Sequence, residues 1–229
     1  MNQLVYLVAF GAECLEQFKV CYKGLKLCDV DVALITDQNY FEASINVIRV
    51  DTVPNSREQY AFRTGFRDYI QIDSYDRVWY MDCDFLIFGD IFKAHESADG
   101  ILVSNEPAWT MGHECFSGDL TDYERRLYYN LPAINAGIYS VPRKYFHFFE
   151  FYDLQVKALM KRNLFINIPE QMVLNSVYAR YQENWLVELM EVGFPEKGVR
   201  GDEPVYHFAC YQFKDKLKLM QKAWEQRVK

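Results

Sequence analysis

The sequence predicts an α/β protein built on a doubly wound, mainly parallel sheet, and three observations carry that prediction. Apolar runs of strand length recur at Leu4–Phe10, Asp31–Thr36 and Arg77–Met81. Segments with apolar residues at helical spacing fill the gaps between them. The runs are continuous rather than alternating, which is the pattern of strands buried on both faces beneath flanking helices.

The elements follow in order. Leu4–Phe10 opens as a core strand; no basic stretch precedes it, so it does not read as a secretory leader. Glu13–Leu27 carries Cys14, Phe18, Cys21, Tyr22 and Leu25 at helical spacing. "DVALIT", Asp31–Thr36, is the second strand and Asn46–Val50 a short third. Glu58–Ile72 is a helix with Tyr60, Phe62, Phe66, Tyr69 and Ile70, and Arg77–Met81 returns to strand. Asp99–Ser104 reads as a further strand. "EPAWTMGHECFSG", Glu106–Gly118, reads as a loop from its Gly, Pro and polar content. Ala136–Val141 is a strand, Arg143–Lys161 and Glu170–Tyr181 are helices, and Trp185–Met190 is a late strand. Phe194–Pro204 is loop-like, and a Lys-rich amphipathic helix runs from Lys214. Without repeats or a linker, residues 1–229 read as one domain.

Composition excludes several classes. With 50% apolar residues the chain can bury a sizeable core, which argues against disorder. The net charge is −7 and no Lys/Arg block stands out, so the basic face that nucleic acid requires is missing. No apolar run approaches the ~20 residues of a spanning helix. The six cysteines form no CxxC pair and read as reduced thiols. A soluble, cytoplasmic protein is expected.

The informative stretch is "YDRVWYMDCDFLIFGDIFKAHE", residues 75–96. Asp82 and Asp84 stand between two apolar runs, just where the Arg77–Met81 strand ends. On a regular strand, positions two apart share a face, and two carboxylates there repel and resist burial. A bound hard cation offsets both effects. Open α/β sheets bind ligands off the carboxyl ends of their strands. A turn in which each Asp caps a backbone N–H is the structural alternative. A phosphatase of the haloacid-dehalogenase type also uses two such acids, but it wants Thr or Ser at the position held here by Leu86.

The surroundings of the pair resemble the metal-binding signature of the glycogenin-like, family-eight glycosyltransferases. Three further segments occur in that family's order. "PAINAGIYSVPR" (132–143) resembles its donor-sugar segment, "PEQMVLNSVYA" (169–179) its Asp-Gln-x-x-x-Asn segment, and "VYHFACYQFKDK" (205–216) its closing His-x-x-Gly-x-x-Lys segment. "AFRTGFRDYI" (61–70) resembles a helix that supplies a basic residue to the donor.

The resemblance implies a GT-A fold: one Rossmann-like domain with a mixed, mainly parallel sheet flanked by helices. Its nucleotide-binding part would lie at about residues 1–95, and its donor-sugar and acceptor part at about 96–229. It implies transfer of a hexose, glucose or galactose, from a UDP-sugar to an acceptor that no residue here identifies, with retention at the anomeric carbon. The cofactor would be Mn²⁺, with Mg²⁺ as the alternative ion. Asp82, Asp84 and His207 would be the protein ligands, Asp84 being the stronger candidate for two-oxygen ligation. Gln171 and Glu170 would stand at the reacting carbon. Phe10, Arg63, Asp82, Cys83, Asn135, Ala136, Gly137 and Lys214 would contact the donor, Gly137 by close approach of its backbone.

The chain departs from the family pattern in three places. Glu170 stands where Asp is usual. Cys210 and Phe213 replace the closing Gly and Lys, with Lys214 one residue late. "AFGAEC" lacks the aromatic residue that stacks on uracil, leaving Phe10 as its substitute. Two other readings stay open: a degenerate domain that binds nucleotide sugar without turnover, and a nucleotidyltransferase on a related fold. No Gly-rich, Lys-containing phosphate loop follows the first strand to support the second.

Overall fold

The computed structural model describes residues 1–51, 56–162, 168–194, 204–209 and 213–227. They fall into two compact units, 1–53 with 72–98 and 192–229, and 54–71 with 99–191.

The first unit holds strands β1 (Gln3–Ala9), β2 (Asp31–Thr36), β3 (Asn46–Arg49) and β4 (Arg77–Met81). β1 pairs in parallel with both β2 and β4, and β2 pairs in parallel with β3. This is the strand order expected when crossover helices wind to both sides of the first strand. Every residue of β1 and β4 is buried, which is why neither alternates polar with apolar. Trp79 is fully buried and satisfies its indole N–H by donating to Gln3 Oε1 at 2.8 Å.

Helix α1 (Gly11–Leu25) leaves β1 through Gly11, whose φ of +79° only glycine adopts without strain. The Gly11 N–H donates to Asp37 Oδ1 at 2.8 Å and so ties the helix start to the end of β2. α1 packs closely on β5 (Phe85–Ile87): a Cβ on Gly24 would meet the Ile87 carbonyl oxygen at 2.3 Å. β5 pairs antiparallel with β9 (Val205–His207) in a separate two-stranded sheet. Helix α8 (Phe213–Arg227) covers this sheet, and Met220 and Ala223 join Val20, Leu86, Tyr206 and Phe208 in one cluster. A short helix, α3 (Ile91–Ala94), is capped by the Asp90 side chain, which accepts from the Lys93 N–H.

The second unit is built on β6 (Leu102–Thr110), β7 (Pro132–Pro142) and β8 (Glu188–Met190). β6 runs antiparallel to β7 and parallel to β8. Its helices are α2 (Ser56–Thr64), α4 (Glu114–Ser117), α5 (Asp122–Leu127), α6 (His147–Lys161) and α7 (Pro169–Tyr181). The strand pairings of the protein are thus mixed and mainly parallel, with helices flanking the strands, as expected.

Several elements differ from the sequence expectation: β5, β9 and α5 are not among the expected elements, and α4 falls within the segment read as a loop. The segment read as a loop from Glu106 continues β6 to Thr110, because Thr110 pairs with Pro132. Pro107 falls within the register shift between Asn105 and Thr110, where a missing N–H costs no ladder bond. The helix expected over 58–72 stops at Thr64, and after Gly65 only a 3₁₀ turn, Phe66–Asp68, follows.

Candidate functional site

Asp82 and Asp84 lie past the end of β4, in the turn that leads into β5. Strand geometry is therefore not what brings the two acids together. Antiparallel pairing of β5 with β9 sets Phe85 opposite His207. The His207 ring stacks on Phe85 with centroids 4.1 Å apart and planes 10° apart. The Phe208 N–H donates to the Asp84 carbonyl at 3.0 Å and pins the two strands at the acid. Asp82, Asp84 and His207 each present a donor atom, and these atoms lie within 4.8 Å of one another.

Asp84 and His207 are both buried, at 8% and 3% exposure. Asp84 Oδ1 stands 3.2 Å from His207 Nε2, an ion-pair distance. Oδ1 makes no hydrogen bond among the described residues, and neither does His207 Nδ1. The other oxygen, Oδ2, accepts from the ammonium of Lys216 at 2.6 Å. Burial opposes ionisation of Asp84, but the facing His207 and Lys216 overcome it and hold the carboxyl well below the usual carboxylate range. Asp82 is half-buried and its Oδ1 accepts from the Tyr80 hydroxyl.

These residues fit a divalent cation. A buried acceptor without a hydrogen bond costs about 1–3 kcal/mol, and a cation at Oδ1 removes that cost. Neighbouring ligands at right angles around an ion held at about 2.0–2.6 Å stand about 2.8–3.7 Å apart. The 3.2 Å between Oδ1 and Nε2 falls inside that window. Two carboxylates and one imidazole make a mixed O/N donor set for a divalent ion.

The second unit gathers the other expected residues around β7 and the start of α7. Arg63 donates to Glu170 Oε1 at 3.0 Å, and Glu170 is 2% exposed. The Tyr152 hydroxyl donates to the Glu170 carbonyl at 2.7 Å. Gln171 Oε1 accepts from the Ala136 N–H at 3.3 Å. Asn135 Oδ1 accepts from the Gly137 N–H at 2.7 Å, and its amide donates to Glu106 Oε2 at 2.7 Å. The Asn135–Ala136–Gly137 segment is thus held at each residue by a named polar partner.

Three further donor contacts are expected at Phe10, Cys83 and Lys214. Phe10 is buried at the entry to α1. The Cys83 thiol is buried and donates to the Val8 carbonyl at 3.4 Å, and burial pushes its pKa well above the ordinary thiol value. At Lys214 the side chain lies outside the described residues.

Three residues escaped the sequence reading. Lys216 is one, nine positions past His207. Its signal was an i,i+4 relation to Met220 on the apolar stripe of α8. Glu106, which holds Asn135, carried no signal. Asn175 is the third, carried in the sequence reading only as the Asn of the 169–179 segment and without a role: it accepts from the Ile134 N–H at 2.9 Å and donates to the Ile134 and Gln171 carbonyls, each at 2.8 Å.

No family model and no curated protein matches the sequence. Solved structures do match. A glycosyltransferase involved in glycosylation of the major capsid of PBCV-1 superposes with a TM-score of 0.63 at 10% identity, over 97% of this chain and 100% of that one. The apo form of the glycosyltransferase GlyE of Streptococcus pneumoniae TIGR4 gives a TM-score of 0.57 at 12% identity, over 100% of this chain and 64% of that one. The bifunctional glycosyltransferase WbbM gives 0.61 at 9% identity, over 100% and 52%. The chain has the GT-A glycosyltransferase fold. At these identities the likeness speaks for the fold alone. The chain spans all of the first neighbour and 64% and 52% of the other two. Among the described residues of this GT-A chain, no helix is long and apolar enough to cross a membrane.

Proposed function

We propose that the protein is a metal-dependent, retaining glycosyltransferase of the glycogenin-like kind. It moves a hexose, glucose or galactose, from a UDP-sugar to an acceptor. The observation that carries this reading is the Asp82–Asp84–His207 cluster on a GT-A fold. Coverage of 97–100% of this chain by the fold neighbours supports residues 1–229 as one catalytic domain.

Asp82, Asp84 and His207 hold the cation, which when bound draws negative charge from the diphosphate leaving group. Arg63 pairs with Glu170 and orients it, and Glu170 and Gln171 stand at the sugar. Asn135, Ala136 and Gly137 bind sugar hydroxyls, supported by the polar contacts that order this segment. Phe10, the Cys83 backbone and Lys214 complete the donor contacts. Half-exposed Trp109, packed edge-on against His113 at 4.4 Å, supports the 106–121 segment as a wall of the acceptor site.

The test is UDP release from UDP-glucose and UDP-galactose with Mn²⁺, with and without EDTA. Metal-dependent release that disappears in Asp84→Ala is expected. Tight UDP-sugar binding without turnover, with candidate acceptors supplied, would point to the degenerate binding domain. No UDP binding in the presence of Mn²⁺ sinks both.

A further inference from the structure

The metal centre contains a cation of its own. Lys216 lies in the first turn of α8, is 8% exposed, and sets its ammonium 2.6 Å from Asp84 Oδ2. Asp84 is equally buried, so solvent screens this contact weakly. The pairing has two consequences. Oδ2 is already engaged, which leaves Oδ1, facing His207 Nε2, as the oxygen available to a metal ion. The charge of the cluster also changes. Asp82 and Asp84 contribute −2 and Lys216 contributes +1, so these three side chains sum to −1 rather than −2. Like charges repel most strongly where the effective dielectric is low. A divalent ion at Oδ1 sits one carboxylate away from a fixed ammonium.

We propose that Lys216 is a positioning residue that makes Asp84 a one-oxygen ligand and weakens the centre's grip on a divalent cation alone, so that the cation loads together with an anionic diphosphate. The ammonium opposes the incoming ion, and the diphosphate supplies the negative charge that Lys216 has removed. The diphosphate half of this inference rests on the function proposed above. The effect on the cation alone does not.

The experiment measures Mn²⁺ affinity by titration, reading free Mn²⁺ by electron paramagnetic resonance, on the full chain with and without UDP. Wild type is compared with Lys216→Met, Lys216→Gln and Lys216→Arg, each first checked for folding by circular dichroism. Gln keeps a donor for Oδ2 without the charge, and Arg keeps the charge. Without UDP, the Met and Gln variants should bind Mn²⁺ at least about tenfold more tightly than wild type, and the Arg variant should match wild type. Adding UDP should raise Mn²⁺ affinity more in wild type than in the neutral variants. A purely structural lysine predicts the opposite sign, because loosening Asp84 weakens the site. Equal or weaker Mn²⁺ binding by both neutral variants overturns the proposal. If UDP has no effect on any variant, the diphosphate reading fails, and the comparison in Mn²⁺ alone still decides the role of Lys216.

Discussion

Arg63 donates to Glu170 Oε1 at 3.0 Å, joining two residues that the sequence separates by 107 positions. Glu170 is the more deeply held of the two, with its side chain 3% exposed against 28% for Arg63. The pair is therefore asymmetric: Arg63 can rehydrate when Glu170 is lost, and Glu170 cannot when Arg63 is lost. Arg63→Ala should lower stability by about 2 kcal/mol, because it removes an ion-pair partner from a buried carboxylate. Glu170→Gln should cost less in thermal unfolding and yet lower UDP-sugar turnover, with UDP affinity kept. Equal thermal losses in the two variants would contradict the asymmetry.

Asn175 is fully buried and ties the backbone of β7 to that of α7 through three hydrogen bonds. Asn175→Leu conserves volume but leaves the Ile134 N–H and two carbonyls unsatisfied. A loss of about 2–4 kcal/mol in urea unfolding is expected. Because Asn175 also holds the Gln171 backbone, turnover should fall even at temperatures where the variant remains folded.

Gly24 has no room for a side chain: its Cβ would stand 2.3 Å from the Ile87 carbonyl oxygen and 2.9 Å from the Ile87 Cβ. Alanine normally favours a helix over glycine, by up to about 1 kcal/mol. Here overpacking should win and Gly24→Ala should destabilise by about 1–3 kcal/mol. An unchanged or raised melting temperature would refute the close approach of α1 to β5.

Glu124 is gripped at both oxygens by Arg180, at 2.7 and 2.9 Å, and it closes a capping box with Thr121. The Arg180 fork, with help from Thr121, lowers the Glu124 pKa from 4.5 to about 2. A depressed carboxyl contributes stability that is present above its unfolded value and lost as pH falls through its folded value. That contribution should be intact above pH 4.5 and decline toward pH 2. The slope of stability against pH in this window, from urea midpoints, should flatten in Glu124→Gln. The side chain is partly exposed, so added salt should also shrink the effect.

Much of the fold was legible in local pattern. β4 coincides with the expected Arg77–Met81, and α7 begins within one residue of the expected start. Buried parallel strands and helix faces write themselves into apolar spacing. The extension of β6 through Pro107 was hidden, because it depends on the partner Pro132 rather than on the residues of 106–110. Gly65 shortened α2 where the aromatic spacing read straight on to Ile72.

By itself the sequence determined the buried parallel strands, the longer helices and the placement of two acids at the end of a strand, since each follows from local spacing and the chemistry of the side chain. Tertiary structure decided the rest. The pairing of β5 with β9 delivers His207 to Asp84, and it is a long-range register that no local pattern encodes. Lys214, Lys216 and Lys218 look equivalent along the chain. Only the packing of α8 on the β5–β9 sheet decides that Lys216 is buried against Asp84 while Lys218 stays exposed, because a helix face acquires direction when something is there to cover it.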